Sequence, residues 1–204
     1  MNFRNALKHG IAELRAAGVT SDTLAAELLL LHATQHERTY LYSHPEAELT
    51  EEEAGSYQTL LDRRISGVPV QHLTGKQEFW GLTFEVTPDV LIPRPETEHL
   101  IEVALDRLAL RELRAGRPNK NDGAGLLIAD IGTGSGCIAV ALAKALPQAH
   151  FVASDVSANA LEVARGNVVV EVGIVITRLF GLLGGEIAAL LKSFGKESPR
   201  CFSG

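Results

Sequence analysis

The chain has 204 residues, 46% of them apolar, and a formal net charge of −6. That length allows one domain with a smaller companion, and the apolar content allows packed cores rather than wholesale disorder. The acidic balance, with no Lys/Arg-rich block, argues against nucleic acid as a direct partner. Cys137 and Cys201, the only cysteines, make no disulfide framework and point to a reducing, cytoplasmic setting.

The N-terminus, MNFRNALKHGIAELRAAG, carries charges throughout and has no apolar h-region, so it does not read as a signal peptide. The most apolar stretch, Val172 to Leu191, contains Arg178 and Glu186, which are costly in mid-bilayer, so no membrane association is expected.

Residues 1–66 read as helical. Leu7, Ile11 and Leu14 fall at i, i+4 and i+7 and make one apolar stripe. Leu24, Leu28 and Leu31 repeat that spacing after Ser21 and Asp22, either of which can cap a helix. A third helix follows the acidic run Thr50-Glu51-Glu52-Glu53, with Glu53 placed for a capping box and Tyr57, Leu61 and Ile65 on one face. Helices this short need one another, so a small bundle is expected.

At Gly67 the pattern changes to β-branched, aromatic, Gly and Pro residues. Leu82, Phe84, Val86 and Thr87 suggest a strand paired across Gly81 with the segment around Phe79. Phe79 and Trp80 are assigned to the hairpin core rather than to substrate contact. Pro95 suits the first turn of a helix, and Glu96 and Glu98 favour the same end through the dipole. Ile101, Leu105 and Leu108 carry that helix to about Leu113, and residues 115–125 form a polar, Gly-rich loop. Then come a strand (LLIADI), a helix (CIAVALAKALP) ended by Pro147, a strand (HFVASDV) and a helix (ANALEVARGNV) with Ser157 as a candidate cap. This βαβα order implies an α/β fold with a parallel sheet.

Chemistry is concentrated in IADIGTGSGCIAV, Ile128 to Val140. Glycine permits positive φ and close backbone approach to a ligand. The dinucleotide fingerprint is GxGxxG. Here the third glycine comes one position early, as Gly132-x-Gly134-x-Gly136, with Cys137 in its place. That spacing suits a ligand without a phosphate, such as the methionine portion of S-adenosylmethionine. No Walker lysine follows the loop, which excludes a P-loop. Asp155 lies 19 residues after Gly136 (155 − 136), where an acidic residue can hydrogen-bond ribose hydroxyls. Asp130 can accept from a ligand ammonium or from the loop itself. The plainer alternative is a turn that lets helix and strand pack closely.

Other candidates weigh less. His32 and His36 are at i, i+4, a spacing that can suit zinc, but no third ligand is near, so no metal is assigned. Cys137 opens a helix, where a thiol pKa can fall, but it has no evident His partner and reads as packing.

The segments EFWGLTFEVTPDVLIPRPETEHLIEVAL, IADIGTGSGCIAVALA and FVASDVSANALEVARGNV together resemble the N5-glutamine methyltransferases of peptide chain release factors, the PrmC/HemK family. The likeness covers about residues 1–167 and is strongest from Gly67 onward. It implies a Rossmann-like S-adenosyl-L-methionine-dependent methyltransferase fold, partial here, preceded by a small N-terminal helical domain and a β-hairpin linker. The corresponding spans are 1–72 for substrate docking, 73–92 for the hairpin linker, 93–167 for the cofactor-binding part and 168–204 for a divergent tail. The implied reaction methylates the Gln of a release factor's Gly-Gly-Gln loop, the release factor being the protein partner of a monomeric enzyme. By the same resemblance, Gly132, Thr133, Gly134, Ser135 and Gly136 line the methionine end of the cofactor, Asp155 holds the ribose, and Arg94 and Glu96 border the pocket.

The family's Asn-Pro-Pro-Tyr motif, which holds the accepting amide, is absent: the chain has no Pro-Pro pair. No catalytic residue is therefore assigned. The expectation is a chain truncated or frame-shifted after about Asn167, although GIVIT and GEIAALLKSF could instead form a strand and a helix. Two other readings stay open: a non-catalytic cofactor-binding remnant, and a DNA adenine-type N-methyltransferase, which the acidic charge disfavours. An NAD(P) dehydrogenase is disfavoured by the glycine spacing.

Overall fold

The computed structural model describes residues 1–116, 122–171 and 178–180. The chain divides into two compact units, Met1–Gly75 and Lys76–Gly204.

The first unit is all helical: α1 (Phe3–Ala16), α2 (Asp22–Thr34), α3 (Arg38–Ser43), α4 (Glu51–Ile65) and α5 (Val70–Thr74). At α1, Asn2 caps by accepting from Asn5 N–H at 3.0 Å. The capping box expected at α4 is formed, with Thr50 Oγ1 accepting from Glu53 N and Glu53 Oε2 accepting from Thr50 N at 2.7 Å. Its core holds Phe3, Ala6, Leu14, Ala26, Leu29, Leu30, Tyr57 and Leu61. At Gly10 there is no room for a side chain, because a Cβ would lie 1.9 Å from Tyr57 Oη.

Several expectations here are corrected. Helix α2 buries Ala25, Ala26, Leu29 and Leu30, leaving Leu24 and Leu28 exposed. Its face is set by docking on α1 and α4, and four leucines in a row, Leu28 to Leu31, do not choose a face by spacing alone. Ile65 is likewise exposed. Ser21 sits at φ 58 without a side-chain cap, and Asp22 instead pairs with Arg15. Helix α2 ends at Thr34, and Gln35 turns left-handed at φ 53. His36 therefore leaves the helix that carries His32 and stacks on Tyr40, ring centroids 3.9 Å apart. Neither α3 nor α5 was expected. Helix α3 is held by Glu27, a buried carboxylate of α2 that accepts from Arg38 and from the Tyr42 hydroxyl at 2.9 Å. Helix α5 begins after the change of pattern at Gly67 and crosses from the span read as helical, 1–72, into the first two residues read as linker.

The second unit opens with an antiparallel hairpin, β1 (Lys76–Phe79) and β2 (Leu82–Glu85), in the register Phe79↔Leu82. Its two-residue turn places Trp80 at φ 55 and Gly81 at φ 66, both positive as a type I′ turn requires. Trp80 N–H is held by Glu98 Oε1 at 2.8 Å. A 3-10 turn, Pro95–Thr97, leads into α6 (Glu98–Arg114). Then follow β3 (Leu127–Ile131), α7 (Cys137–Ala145), β4 (His150–Ser154) and α8 (Ala158–Glu171). Ser157 caps α8, its Oγ accepting from Ala160 N–H at 3.2 Å. A short β5 (Arg178–Phe180) completes the order β3-β4-β5 among the described residues, with both pairings parallel. The proposed strand over GIVIT and helix over GEIAALLKSF, together with Cys201 and Glu186, lie outside the described residues.

Helix α7 is apolar nearly all round and correspondingly buried, packing Val140 and Leu142 with Phe79, Phe84, Ile101 and Phe151. Among the described residues, no helix is long and apolar enough to cross a membrane.

Candidate functional site

In a parallel sheet the strands all end on one side, and ligands bind in the crevice beyond those carboxyl ends. Strands β3 and β4 pair in the register Ile131↔Ser154, so the residues that follow each strand emerge side by side. After β3 comes the loop 132–136 and after β4 comes Asp155. Two loop amides, Gly132 N–H and Thr133 N–H, donate to the Ser154 carbonyl at 2.8 and 2.9 Å. This bends the chain sharply out of β3. Gly136 N–H donates to the Thr133 carbonyl at 2.9 Å and closes the turn into α7.

All three glycines have positive φ: 80 at Gly132, 56 at Gly134 and 81 at Gly136. Their surroundings differ. A Cβ on Gly132 or Gly134 would meet nothing within 4 Å, so the backbone there faces open space. A Cβ on Gly136 would come within 3.2 Å of Ala164 Cβ, so Gly136 also serves close packing of α7 on α8. One glycine of the three thus fits the plainer packing reading, and the other two have open space beside them that a ligand could fill.

Two carboxylates frame the loop. Asp155 Oδ2 accepts from Gly134 N–H and Oδ1 accepts from Ser157 N–H, both at 2.9 Å. It ties the loop to the start of α8. Asp130 Oδ2 accepts from Thr133 Oγ1 at 2.8 Å. Burial pushes the Asp130 carboxyl above its ordinary range and the nearby Asp155 carboxylate adds to this, against the Thr133 hydroxyl, which pulls it down. Thr133 and Ser135 are buried. The amide of Asn167, 1% exposed, reaches the Ser135 carbonyl at 2.9 Å.

Cys137 is buried at the first position of α7, and burial raises its thiol pKa. It packs in the core cluster, and the lowering that a helix N-terminus can cause is outweighed. Arg94 and Glu96 stand exposed at the 3-10 turn before α6. Among the described residues neither bonds to the loop. Glu98, which the sequence placed only as a helix-end charge, is the member of this segment with a long-range bond. No group of three or more His, Cys, Asp or Glu side chains among the described residues is placed for a metal. A separate cavity of about 220 Å³, lined by Leu105, Leu108, Glu112 and Leu126 among others, takes no residue from the loop.

The sequence missed Asn167 as part of the site. A signal existed: Ala160, Ala164 and Asn167 fall at i, i+4 and i+7, which places the asparagine on the buried face of α8.

A strand, a glycine loop and a helix, with an acidic residue ending the neighbouring parallel strand, define a partial Rossmann-like methyltransferase domain. The comparisons agree. Residues 118–176 match the methyltransferase small domain and residues 5–75 match the PrmC N-terminal domain. The chain is similar to a release factor glutamine methyltransferase of Koribacter versatilis, 47% identical over 165 residues, which are 81% of this chain and 53% of that protein. The protein of the same name from Moorella thermoacetica is 44% identical over 167 residues, 82% of this chain and 55% of the relative. That from Escherichia coli K12 is 36% identical over 197 residues, 95% of this chain and 66% of the relative. The chain belongs to this family, PrmC/HemK. It spans about half the length of the first two relatives. The likeness to the E. coli protein runs well past Asn167.

Proposed function

We propose that the loop 132–136, with Asp130 and Asp155, binds S-adenosyl-L-methionine, and that the chain belongs to an enzyme that methylates the Gly-Gly-Gln glutamine of a peptide chain release factor. The observation that carries the cofactor half is the pairing of Asp155 with Gly134, which sets a carboxylate beside open glycine backbone at the ends of two parallel strands. Two carboxylates at the loop would repel a pyrophosphate. They suit a ligand with ribose hydroxyls at one end and cationic sulfonium and ammonium groups at the other. Bound there, the cofactor supplies an electrophilic methyl group.

In this reading Asp155 accepts from the ribose hydroxyls, the amides of 132–136 surround the methionine end, and Asp130 keeps the loop in shape through Thr133. Val156, 94% exposed next to Asp155, offers apolar surface to the adenine. Arg94 and Glu96 border the pocket, and residues 1–72 dock the protein substrate. The substrate half rests on the names of the relatives. An amide nitrogen is a weak nucleophile, because its lone pair is delocalised, so transfer depends on groups that orient it.

The missing Pro-Pro pair supports a second reading, a chain that binds the cofactor without transferring its methyl group. One experiment separates the two: incubation with methyl-labelled S-adenosylmethionine and either unmethylated release factor or DNA, alongside calorimetry with S-adenosylhomocysteine. Label on the glutamine supports the enzyme. Binding without label supports the second reading. No binding overturns both, and label on DNA overturns the substrate assignment.

A further inference from the structure

We propose that Asn167 is a positioning residue that sets the shape of the glycine loop from the hairpin strand β2. The inference rests on the reading of that loop as the cofactor cradle. Asn167 is 1% exposed and lies near the end of α8, yet its side chain makes three bonds to distant backbone. Oδ1 accepts from Glu85 N–H at 2.6 Å. Nδ2 donates to the Glu85 carbonyl at 3.0 Å and to the Ser135 carbonyl at 2.9 Å.

The first two bonds have a simple geometric meaning. In the β1-β2 hairpin, β2 has one unpaired edge. The N–H and C=O of one strand residue point the same way, and at Glu85 both are taken by a single amide. Asn167 thus acts as a one-residue strand partner. The remaining N–H of that amide reaches across to Ser135, so Glu85 and Ser135, 50 residues apart (135 − 85), share one rigid group. Only a primary amide can accept once and donate twice here. Aspartate has the shape but no donor, and glutamine places the same group one methylene further out.

Ser135 directly follows Gly134, whose N–H is held by Asp155. Fixing the Ser135 carbonyl orients the peptide plane between Ser135 and Gly136, and Asp155 fixes the plane between Thr133 and Gly134. The loop is therefore clamped on both sides of Gly134. A second asparagine of α8, Asn159, provides the contrast: it is exposed and bonds Asp89 at 2.9 Å without touching the loop.

The test compares Asn167→Asp with Asn159→Ala by hydrogen exchange and by calorimetry with S-adenosylhomocysteine. In Asn167→Asp, exchange at Gly132–Gly136 rises and affinity falls, each by about tenfold, while exchange in α4 stays unchanged. Asn159→Ala moves neither. The proposal is overturned if Asn167→Asp changes the loop no more than Asn159→Ala does, or raises exchange equally across residues 76–171. Should Asn167→Asp fail to fold by circular dichroism, Asn167→Gln is measured the same way, with the same two outcomes deciding. If the unsubstituted chain does not bind S-adenosylhomocysteine, the cofactor reading fails, and exchange alone decides the role of Asn167.

Discussion

The Asp155 carboxylate accepts from the Gly134 amide at 2.9 Å, although 21 residues and a whole helix separate them in the chain. Parallel pairing of β3 and β4 makes this possible, because it brings the ends of both strands to one side. One carboxylate then braces the loop and, through Ser157, the start of α8.

Asp155→Ala removes both bonds. Affinity for S-adenosylhomocysteine is expected to fall by at least tenfold, the scale for a hydrogen bond to a charged group. Asp155→Asn, which keeps one acceptor oxygen, should fall between the two. Calorimetry on both variants checks the order, and equal affinity in all three proteins would count against the assignment of Asp155.

Gly136→Ala should destabilise the chain more than Gly132→Ala. Both adopt positive φ, which costs an L-residue roughly 1–2 kcal/mol. Only Gly136 adds a close approach, 3.2 Å to Ala164 Cβ. Urea unfolding of the two variants gives the comparison. Gly136→Ala with Ala164→Gly should recover part of the difference, since the second change removes the crowding methyl group.

In the helical unit, Gly10→Ala forces a methyl group onto the Tyr57 hydroxyl, 1.9 Å away. The ring must then move, losing its bond to the Ala26 carbonyl. A loss of about 1–3 kcal/mol is expected, the range for overpacking a close-packed core. Tyr57→Phe in the same chain should give back part of it, because it removes the nearest atom. A double-mutant cycle in urea measures the coupling.

The Asp130 carboxyl titrates above its ordinary value of 3.8 in the folded chain, chiefly because it is buried. The folded state then holds that proton more tightly than the unfolded state does. This contribution to stability is full below 3.8 and is lost as pH rises through the folded value. Asp130→Asn carries no titrating group and can still accept from Thr133. Its urea midpoint relative to the unsubstituted protein should therefore rise across that window and level off above it. A flat difference would show that burial does not govern this carboxyl.

Cys137 should react slowly with iodoacetamide in the native state, since burial both shields the thiol and raises its pKa. In a Cys201→Ser background, urea should speed the reaction by orders of magnitude. Mass spectrometry of the Cys137 peptide over time checks this.

Local rules settled much of this molecule. Asn2, Thr50 and Ser157 cap the helices they precede, because capping needs only a few neighbouring residues. The hairpin at Gly81 and the strand–glycine–helix order depend on punctuation that single residues supply. The resemblance carried by LIPRPETE and GTGSG pointed to the family that the comparisons then showed. Spacing failed where the choice lay between faces. In LAAELLLL, from Leu24 to Leu31, nearly every position is apolar, so only packing on α1 and α4 decides that Leu29 goes inside and Leu28 outside. It failed again at His36, because the left-handed turn at Gln35 is one residue's conformation and breaks a register that spacing assumes.

The sequence by itself determined most of the element types, α3 and α5 excepted, the glycine loop, and the acidic residue that follows β4. Which groups those residues hold was decided by tertiary structure alone. Asp155 finds Gly134 only through the parallel register of β3 and β4, and Asn167 finds Ser135 and Glu85 only because α8 packs against both the loop and the hairpin. Capping and turn formation act over three or four residues and leave a mark in the string. Hydrogen bonds that span 21, 32 and 82 residues leave none, because nothing local to either end depends on the other until the chain is folded.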